Sequence, residues 1–392
     1  MNPQPAARVL LDLTAPLAEV TAVSDEHAAR TDRDAEFPVE ALDALRGTGL
    51  LGLMVPAAHG GLGGTVADLV AAAQTLGRSD MSVGMIFAMH CQQTEAVVRY
   101  GDRALRDELL PAIAKGGIYL ASVTTEAGKG GHLLSAQAQL TGGEGQLVID
   151  RFAPVVTGGG HADGFLITMR SPDAVTDSEV SLVYAHRGQL DISGSGEWQP
   201  MGMRASHSGA LKLSGSVPAG QVVGGQGGFH EIAAQVFGPL AHLGWSAVWL
   251  GTAAGALSRV LRLLRSPAGR ERFDLTSELL LTRISRSRQR LESVHALLAR
   301  ALDVVESGQD LSVPARQLLL NSLKITAADE CHAAVDDLVS ALGLRHGYLR
   351  DSPTRLERAL RDLRSAALNY SNDRLHLADG RLALRDQGVN FA

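Results

Sequence analysis

The stretch "AQAQLTGGEGQLVIDRF", Ala136 to Phe152, decides the fold. Two runs that alternate apolar and polar side chains flank Gly142 and Gly143, and a glycine pair between such runs reads as a hairpin turn. Toward the C-terminus, "ADGFLITMRS", "VSLVYAH", "LDISG" and "ALKLSGSVP" repeat this texture. Short strands at regular spacing predict a compact barrel or sandwich, and residues 118–228 are expected to form one β-barrel domain. Helical patterns lie on both sides of it. Before it, "SVGMIFAMHCQQTEAVVRYG" reads as a long helix closing at Gly101 and "DRALRDELLPAIAKGG" as another ending in paired glycines, within a helical domain over residues 1–117. After it, Ile284, Leu291, Val294, Leu298, Leu302 and Val305 hold one apolar stripe along a helix. A second long helix then begins near Pro314 and ends before Gly343. Residues 229–392 are expected to form a four-helix bundle, which makes the fold α+β in the order helices, barrel, bundle.

The chain has 392 residues, a net charge of −6 and both signs interspersed. No basic block or stripe is present to neutralise phosphates along a duplex, which argues against nucleic acid as a partner. Cys91 and Cys331 are far apart and read as buried thiols in a reducing compartment. The N-terminus lacks the charged-then-apolar pattern of a secretory signal, and a cytoplasmic location is expected. "GPLAHLGWSAVWLGTAAGAL" suits a buried helix better than a membrane span, its small residues allowing neighbouring helices to approach. No set of His, Asp, Glu or Cys has metal-ligand spacing. One interruption stands out: "SAALNYSNDRL", Ser365 to Leu375, breaks two Arg-rich helical runs with turn-forming, hydroxyl-bearing residues, which reads either as a plain connection or as the rim of a site.

Several of these stretches resemble, in order, those of the acyl-CoA dehydrogenases, flavoproteins built as helical domain, β-barrel and four-helix bundle. "FPVEALDALRGTGLLGLMVPAAHGGLGG", Phe37 to Gly64, is similar to that family's N-terminal helix pair and glycine loop. "ASVTTEAGKGG", from Ala121, is similar to its flavin-binding loop. "VVTGGGHAD", from Val155, resembles the next flavin contact, and "WQPMGMRASHSGALKLSGSVP", from Trp198, is the closest match. "RERFD", Arg270 to Asp274, resembles a segment whose arginine reaches the flavin pyrophosphate of a neighbouring subunit, with Asp274 where the family has glycine. The resemblance therefore implies FAD, with FMN as the alternative. It assigns cofactor contacts to Val123, Thr124, Thr125, Gly128 and Gly130, to Thr157 and Gly158, and to Arg270, Phe273 and Asn372. It also implies a homodimer or homotetramer. The chemistry agrees, because a flavin edge needs hydroxyls and closely approaching backbone donors.

The departures lie at the base. Removing a proton beside a thioester calls for a group with a suitable pKa, usually a desolvated carboxylate. The family's glutamate position falls at Tyr370, and the alternative position on the helix opening the bundle falls at Ala241 and His242. Tyr370 and His242 are thus candidate catalytic residues. His90, on the helix bordering the expected flavin cavity, is a third, because a monooxygenase branch of this fold uses a histidine there. Three readings follow. The first is α,β-dehydrogenation, or a variant of it, of an acyl thioester carried on coenzyme A or a carrier protein. The second is a flavin-dependent monooxygenase, which needs no α-proton base, and the third is a catalytically silent flavin-binding protein.

Overall fold

The computed structural model describes residues 10–128, 132–143, 145–386 and 388. Five helices open the chain: α1 (Thr14–Asp34), α2 (Val39–Gly47), α3 (Val66–Ser79), α4 (Met81–Tyr100) and α5 (Arg103–Ala114). Their starts are written in the sequence. Thr65 and Asp68 form a reciprocal capping box at α3, and the Asp80 carboxylate accepts the Ser82 and Val83 N–H groups at α4. α4 is buried over most of its length, including its polar Gln92, Gln93 and Thr94.

Seven strands follow: β1 (Leu120–Val123), β2 (Gln146–Ala153), β3 (Gly164–Arg170), β4 (Val180–His186), β5 (Leu190–Ser195), β6 (Ala210–Pro218) and β7 (Val222–Val223). They form two sheets, ordered β1-β3-β4-β7 and β2-β6-β5, and this corrects the expected barrel: no closed barrel forms among the described residues. β1, β3 and β4 are buried on both faces, with α4 packed on β1, so helices cover what closure would otherwise have to protect. β2 alternates exposed and buried along its length and pairs antiparallel with β6 from Gln146 opposite Pro218 to Ala153 opposite Leu211. The expected hairpin at Gly142 shrinks to a single bridge, Thr141 with Val148.

A short α6 (Phe229–Ile232) passes through a π-turn, Ala233–Phe237, into α7 (Gly238–Arg265), followed by α8 (Pro267–Arg272), α9 (Glu278–Glu306), α10 (Pro314–Gly343), α11 (Leu356–Arg364) and α12 (Asn372–Ala383). α7, α9 and α10 pack on one another, and the short α11 and α12 lie on α10. Of the predicted stripe on α9, Leu291, Val294, Leu298 and Leu302 are buried, and Ile284 and Val305 at its ends are half-buried against the core. The segment Phe229–Arg265 is long and apolar enough to cross a membrane, and 67% of its most apolar window is buried inside the protein. It lies against α3 at very short range. A Cβ on Gly251 would stand 2.1 Å from the Gln74 carbonyl oxygen, and one on Gly77 2.5 Å from that of Val248.

Two arginines of α11 join this bundle to the other regions. Arg358 reaches Asp80 at 2.7 Å, and Arg361 reaches Asp32 at 2.7 Å and the Met201 carbonyl at 3.0 Å. Next to them Asp362 accepts the Met203 N–H at 2.6 Å. The loop after β5 is thereby pinned to the helix that leads into the Ser365–Leu375 break.

Candidate active site

A cavity of about 660 Å3 opens between the strand region and the bundle. One wall comes from loops at strand ends. Thr124 and Thr125 follow β1, Thr157 follows β2, and Ser206 and Ser208 precede β6, all five lining the space. Their hydroxyls are organised before any ligand arrives. Ser206 and Ser208 oxygens lie 2.8 Å apart, Ser208 donates to Thr157 Oγ1 at 3.0 Å, and Thr125 donates to the Val155 carbonyl at 2.8 Å. Behind this wall Arg151 and Glu126 form an ion pair at 2.6 Å, with side chains only 1% and 6% exposed. Arg151 also donates to the Thr125 carbonyl at 2.8 Å, fixing the loop backbone. Gly158 has φ +61°, and a Cβ there would meet the Tyr119 hydroxyl at 2.6 Å, so only glycine allows the turn its packing.

The opposite wall is helical. His242 and Trp245 project from α7, Leu320 and Asn321 from α10, and Tyr370 from the turn between α11 and α12. The His242 and Tyr370 ring centres are 6.4 Å apart. Burial pushes the His242 pKa down to about 3, helped by the nearby Lys324 cation and opposed by a backbone hydrogen bond at Leu320, so the imidazole is neutral. Its Nδ1 and the Trp245 Nε1 are buried without a hydrogen-bond partner. Desolvation pushes the Tyr370 phenol up, which keeps it protonated at neutral pH. Among the described residues no Asp or Glu lines the cavity.

Orphaned polar atoms are rare in folded proteins and point to a missing partner. Hydroxyls on one wall and unpartnered ring nitrogens on the other suit a flat group that both accepts and donates hydrogen bonds along its edges. The residues present therefore fit a flavin ring.

Comparison with known proteins agrees. The acyl-CoA dehydrogenase N-terminal domain matches residues 17–117 and the acyl-CoA dehydrogenase C-terminal domain residues 243–373, together more than half of the chain. The chain belongs to the acyl-CoA dehydrogenase superfamily. It is a flavin-dependent oxidoreductase of that type. An acryloyl-CoA reductase (NADH) of Anaerotignum propionicum is 24% identical over 354 residues, 89% of this chain and 87% of the relative. Among solved structures, butyryl-CoA dehydrogenase from Megasphaera elsdenii superposes with a TM-score of 0.84 at 18% identity, covering 97% of this chain and 100% of that one. FMN-bound TdsC from Paenibacillus sp. A11-2, a dibenzothiophene monooxygenase, superposes at 0.83 with 21% identity, covering 95% and 97%.

Within this superfamily scaffold the candidate residues separate. Thr124, Thr125, Thr157, Tyr370 and His242 meet at the cavity. Val123 is buried in β1 behind it, Gly128 lies outside the lining with φ +81°, and Gly130 falls outside the described residues. Asn372 turns inward, accepting from Lys324 at 2.7 Å and donating to Asp329 at 2.9 Å. Arg270 is exposed on α8, and the Phe273 ring packs on His346 with centres 5.8 Å apart, so neither reaches this chain's own cavity. Asp274 replaces the family glycine without disrupting the turn, accepting the Thr276 N–H at 2.9 Å.

His90 is a correction. It is wholly buried and absent from the lining. Its Nδ1 accepts the Leu120 N–H at 3.0 Å, which leaves the proton on Nε2 to donate to the Leu51 carbonyl at 2.9 Å. With both nitrogens committed and its pKa pushed down to about 4 by burial, His90 joins α4 to β1 and takes no part at the cavity. The nearby carboxylates are no substitute either, since Asp362 is spent on Met203 and Arg358, and Asp373 is exposed and off the lining.

Sequence reasoning missed Ser206, Ser208 and Lys324. The serines stand in the most family-like segment, "RASHSG", where two hydroxyls at alternate positions just before β6 were a readable signal. Lys324 is one of four lysines in the chain and sits in the apolar run "LLLNSLKITAA", a placement that marks it as purposeful.

Proposed function

We propose that this flavin-dependent oxidoreductase dehydrogenates an acyl thioester between its α and β carbons, with FAD as cofactor and FMN as the alternative. The observation that carries this reading is a superfamily match along the chain that ends in one apolar cavity with its few polar groups placed where the chemistry needs them. Thr124, Thr125, Thr157, Ser206 and Ser208 would hold the flavin edge, and a flavin bound there supplies the acceptor for the two electrons and the hydrogen lost from the β-carbon. The chain's own residues handle the proton. The Tyr370 hydroxyl, held neutral, donates to the thioester carbonyl oxygen and so acidifies the α C–H. His242 Nδ1, neutral and unpartnered, takes the α-proton. Met85, Met89 and Phe237 line the space and keep water from the reacting carbons. The acyl carrier is coenzyme A or a carrier protein, and Arg270 on α8 and Phe273 just after it would serve the cofactor of a neighbouring copy in a dimer or tetramer. The two buried free thiols accord with work in the cytoplasm.

A specific observation favours a second reading. With no carboxylate on the lining among the described residues and the His242 pKa pushed down to about 3, the cavity lacks the usual α-proton base, whereas monooxygenation with reduced flavin and O2 does not require one.

Anaerobic mixing of the flavin-loaded protein with a series of acyl-CoA and acyl-carrier-protein thioesters tests the first reading. Bleaching of the flavin absorbance, lost in Tyr370→Phe together with His242→Leu, is the expected result. Failure of every thioester to bleach, combined with oxygen uptake and a hydroxylated product after reduction by an external reductase, establishes the second.

A further inference from the structure

Lys324 on α10 is 0% exposed. Its ammonium makes two hydrogen bonds, both to the turn between α11 and α12: 2.9 Å to the Tyr370 carbonyl and 2.7 Å to Asn372 Oδ1. Asn372 completes a closed circuit by donating to Asp329, about one turn further along α10, at 2.9 Å. The Trp249 ring of α7 lies 5.8 Å from the same ammonium. One side chain thus meets α7, α10 and the turn at a single point.

The turn needs such a hold. Tyr370 has φ +50°, in the left-handed region that a bulky side chain enters only under constraint. Ser371, which precedes α12, supplies no side-chain cap, so locally the start of that helix is held by backbone bonds alone, among them the Asn372 N–H to the Ala367 carbonyl at 3.0 Å. α12 in turn places Leu375, Ala378 and Leu382 on the cavity. A lysine suits the position, because a compact ammonium with three donors can serve the Tyr370 carbonyl and Asn372 Oδ1 together without the extra volume of a planar guanidinium. The cation is also kept against a penalty, since burial pushes its pKa down to about 8. A group retained in the interior on those terms is poorly explained by stability alone.

We propose that Lys324 is the positioning residue of this active site: by gripping the Tyr370 carbonyl and the Asn372 side chain together, it sets the Tyr370 ring opposite His242 and fixes the start of α12 along the substrate space. The assignment holds for either reaction the cavity performs.

The test uses the full chain loaded with FAD. Lys324→Met removes both bonds while keeping the volume, and Lys324→Gln keeps an amide donor able to reach one acceptor. Hydrogen–deuterium exchange of residues 366–376 is expected to quicken at least tenfold in K324M and by a smaller factor in K324Q. Flavin content, melting temperature and exchange in α7 and α10 should stay near wild type. With whichever thioester bleaches the wild type, kcat is expected to fall at least tenfold in K324M at a nearly constant KM, with K324Q in between. Unchanged exchange at 366–376 overturns the proposal, as does exchange that rises equally through α7 and α10. Because exchange is read without turnover, it decides the matter even if no thioester reduces the protein. That outcome would count against the proposed reaction and not against Lys324.

Discussion

The two walls of the cavity treat their polar groups in opposite ways. On the strand wall nearly every hydrogen-bonding side chain is answered inside the protein: Thr157 by Ser208, Thr125 by Val155, Arg151 by Glu126, and, behind them, His90 by Leu51 and Leu120. On the helical wall the His242 and Trp245 nitrogens are buried and unanswered. His90 and His242 make the contrast sharpest, since both are buried, neutral imidazoles on long helices, one fully bonded and one with a free nitrogen facing a cavity. Equal burial therefore does not imply equal purpose. Of these two histidines, the fully bonded one helps build the site, and the one on the lining with an open nitrogen is available to what the site binds.

The largest effect should come from the strand wall. Arg151→Met takes the cation away from the buried Glu126 carboxylate, which keeps the Gln137 and Ala138 N–H groups, and urea unfolding should register a loss of about 3–5 kcal/mol. If stability holds, the wall is not as prebuilt as its bonds imply. His90→Leu strands the Leu120 N–H and the Leu51 carbonyl and should cost about 2–4 kcal/mol. His242→Leu, which gives up one hydrogen bond at the Leu320 backbone, should cost less, about 1–2 kcal/mol, while abolishing thioester-dependent bleaching. Equal costs for the two variants would erase the distinction.

Acid sharpens the same pair in another way. Both histidines have folded pKa values below the ordinary 6.5, at about 4 and about 3, so the unfolded chain binds protons that the folded chain refuses. Their contribution is full above pH 6.5 and is lost as pH falls toward 4, at about 1.4 kcal/mol per pH unit for each. Asp362 works in the opposite sense, because its pKa is raised to about 6 and acidification relieves its buried charge. The clean reading is therefore the difference between wild type and His242→Leu, whose stability-versus-pH slope should be shallower by that one-proton amount. The smallest effect belongs to Thr157→Val, which removes one hydrogen bond from the hydroxyl ladder and should cost about 1 kcal/mol by thermal or urea unfolding.

Much of this was legible in the chain. The order of helices, strands and helices follows from a hydrophobic period that switches between 3.6 and 2, and the strand runs near 147–153, 164–170, 180–186, 190–194 and 210–218 all form. Thr124, Thr125 and Thr157 were readable because they stand in stretches that resemble the superfamily's flavin loops in the right order along the chain. The barrel was not readable correctly, since alternation gives the faces of a strand and not which sheets close. His90 was misread for a related reason: an isolated histidine on an apolar helix looks the same whether its nitrogens meet a cavity or two backbone groups 30 and 39 residues away.

By itself, then, the sequence determined the elements, their order, the buried stripes and the absence of a carboxylate where Tyr370 stands, because local periodicity and residue identity depend only on near neighbours. The tertiary structure alone decided which histidine is free, that Lys324 grips the Tyr370 turn, and that two sheets pack without closing. Each of these rests on groups far apart in the chain, whose bonds exist only once the fold has excluded water around them.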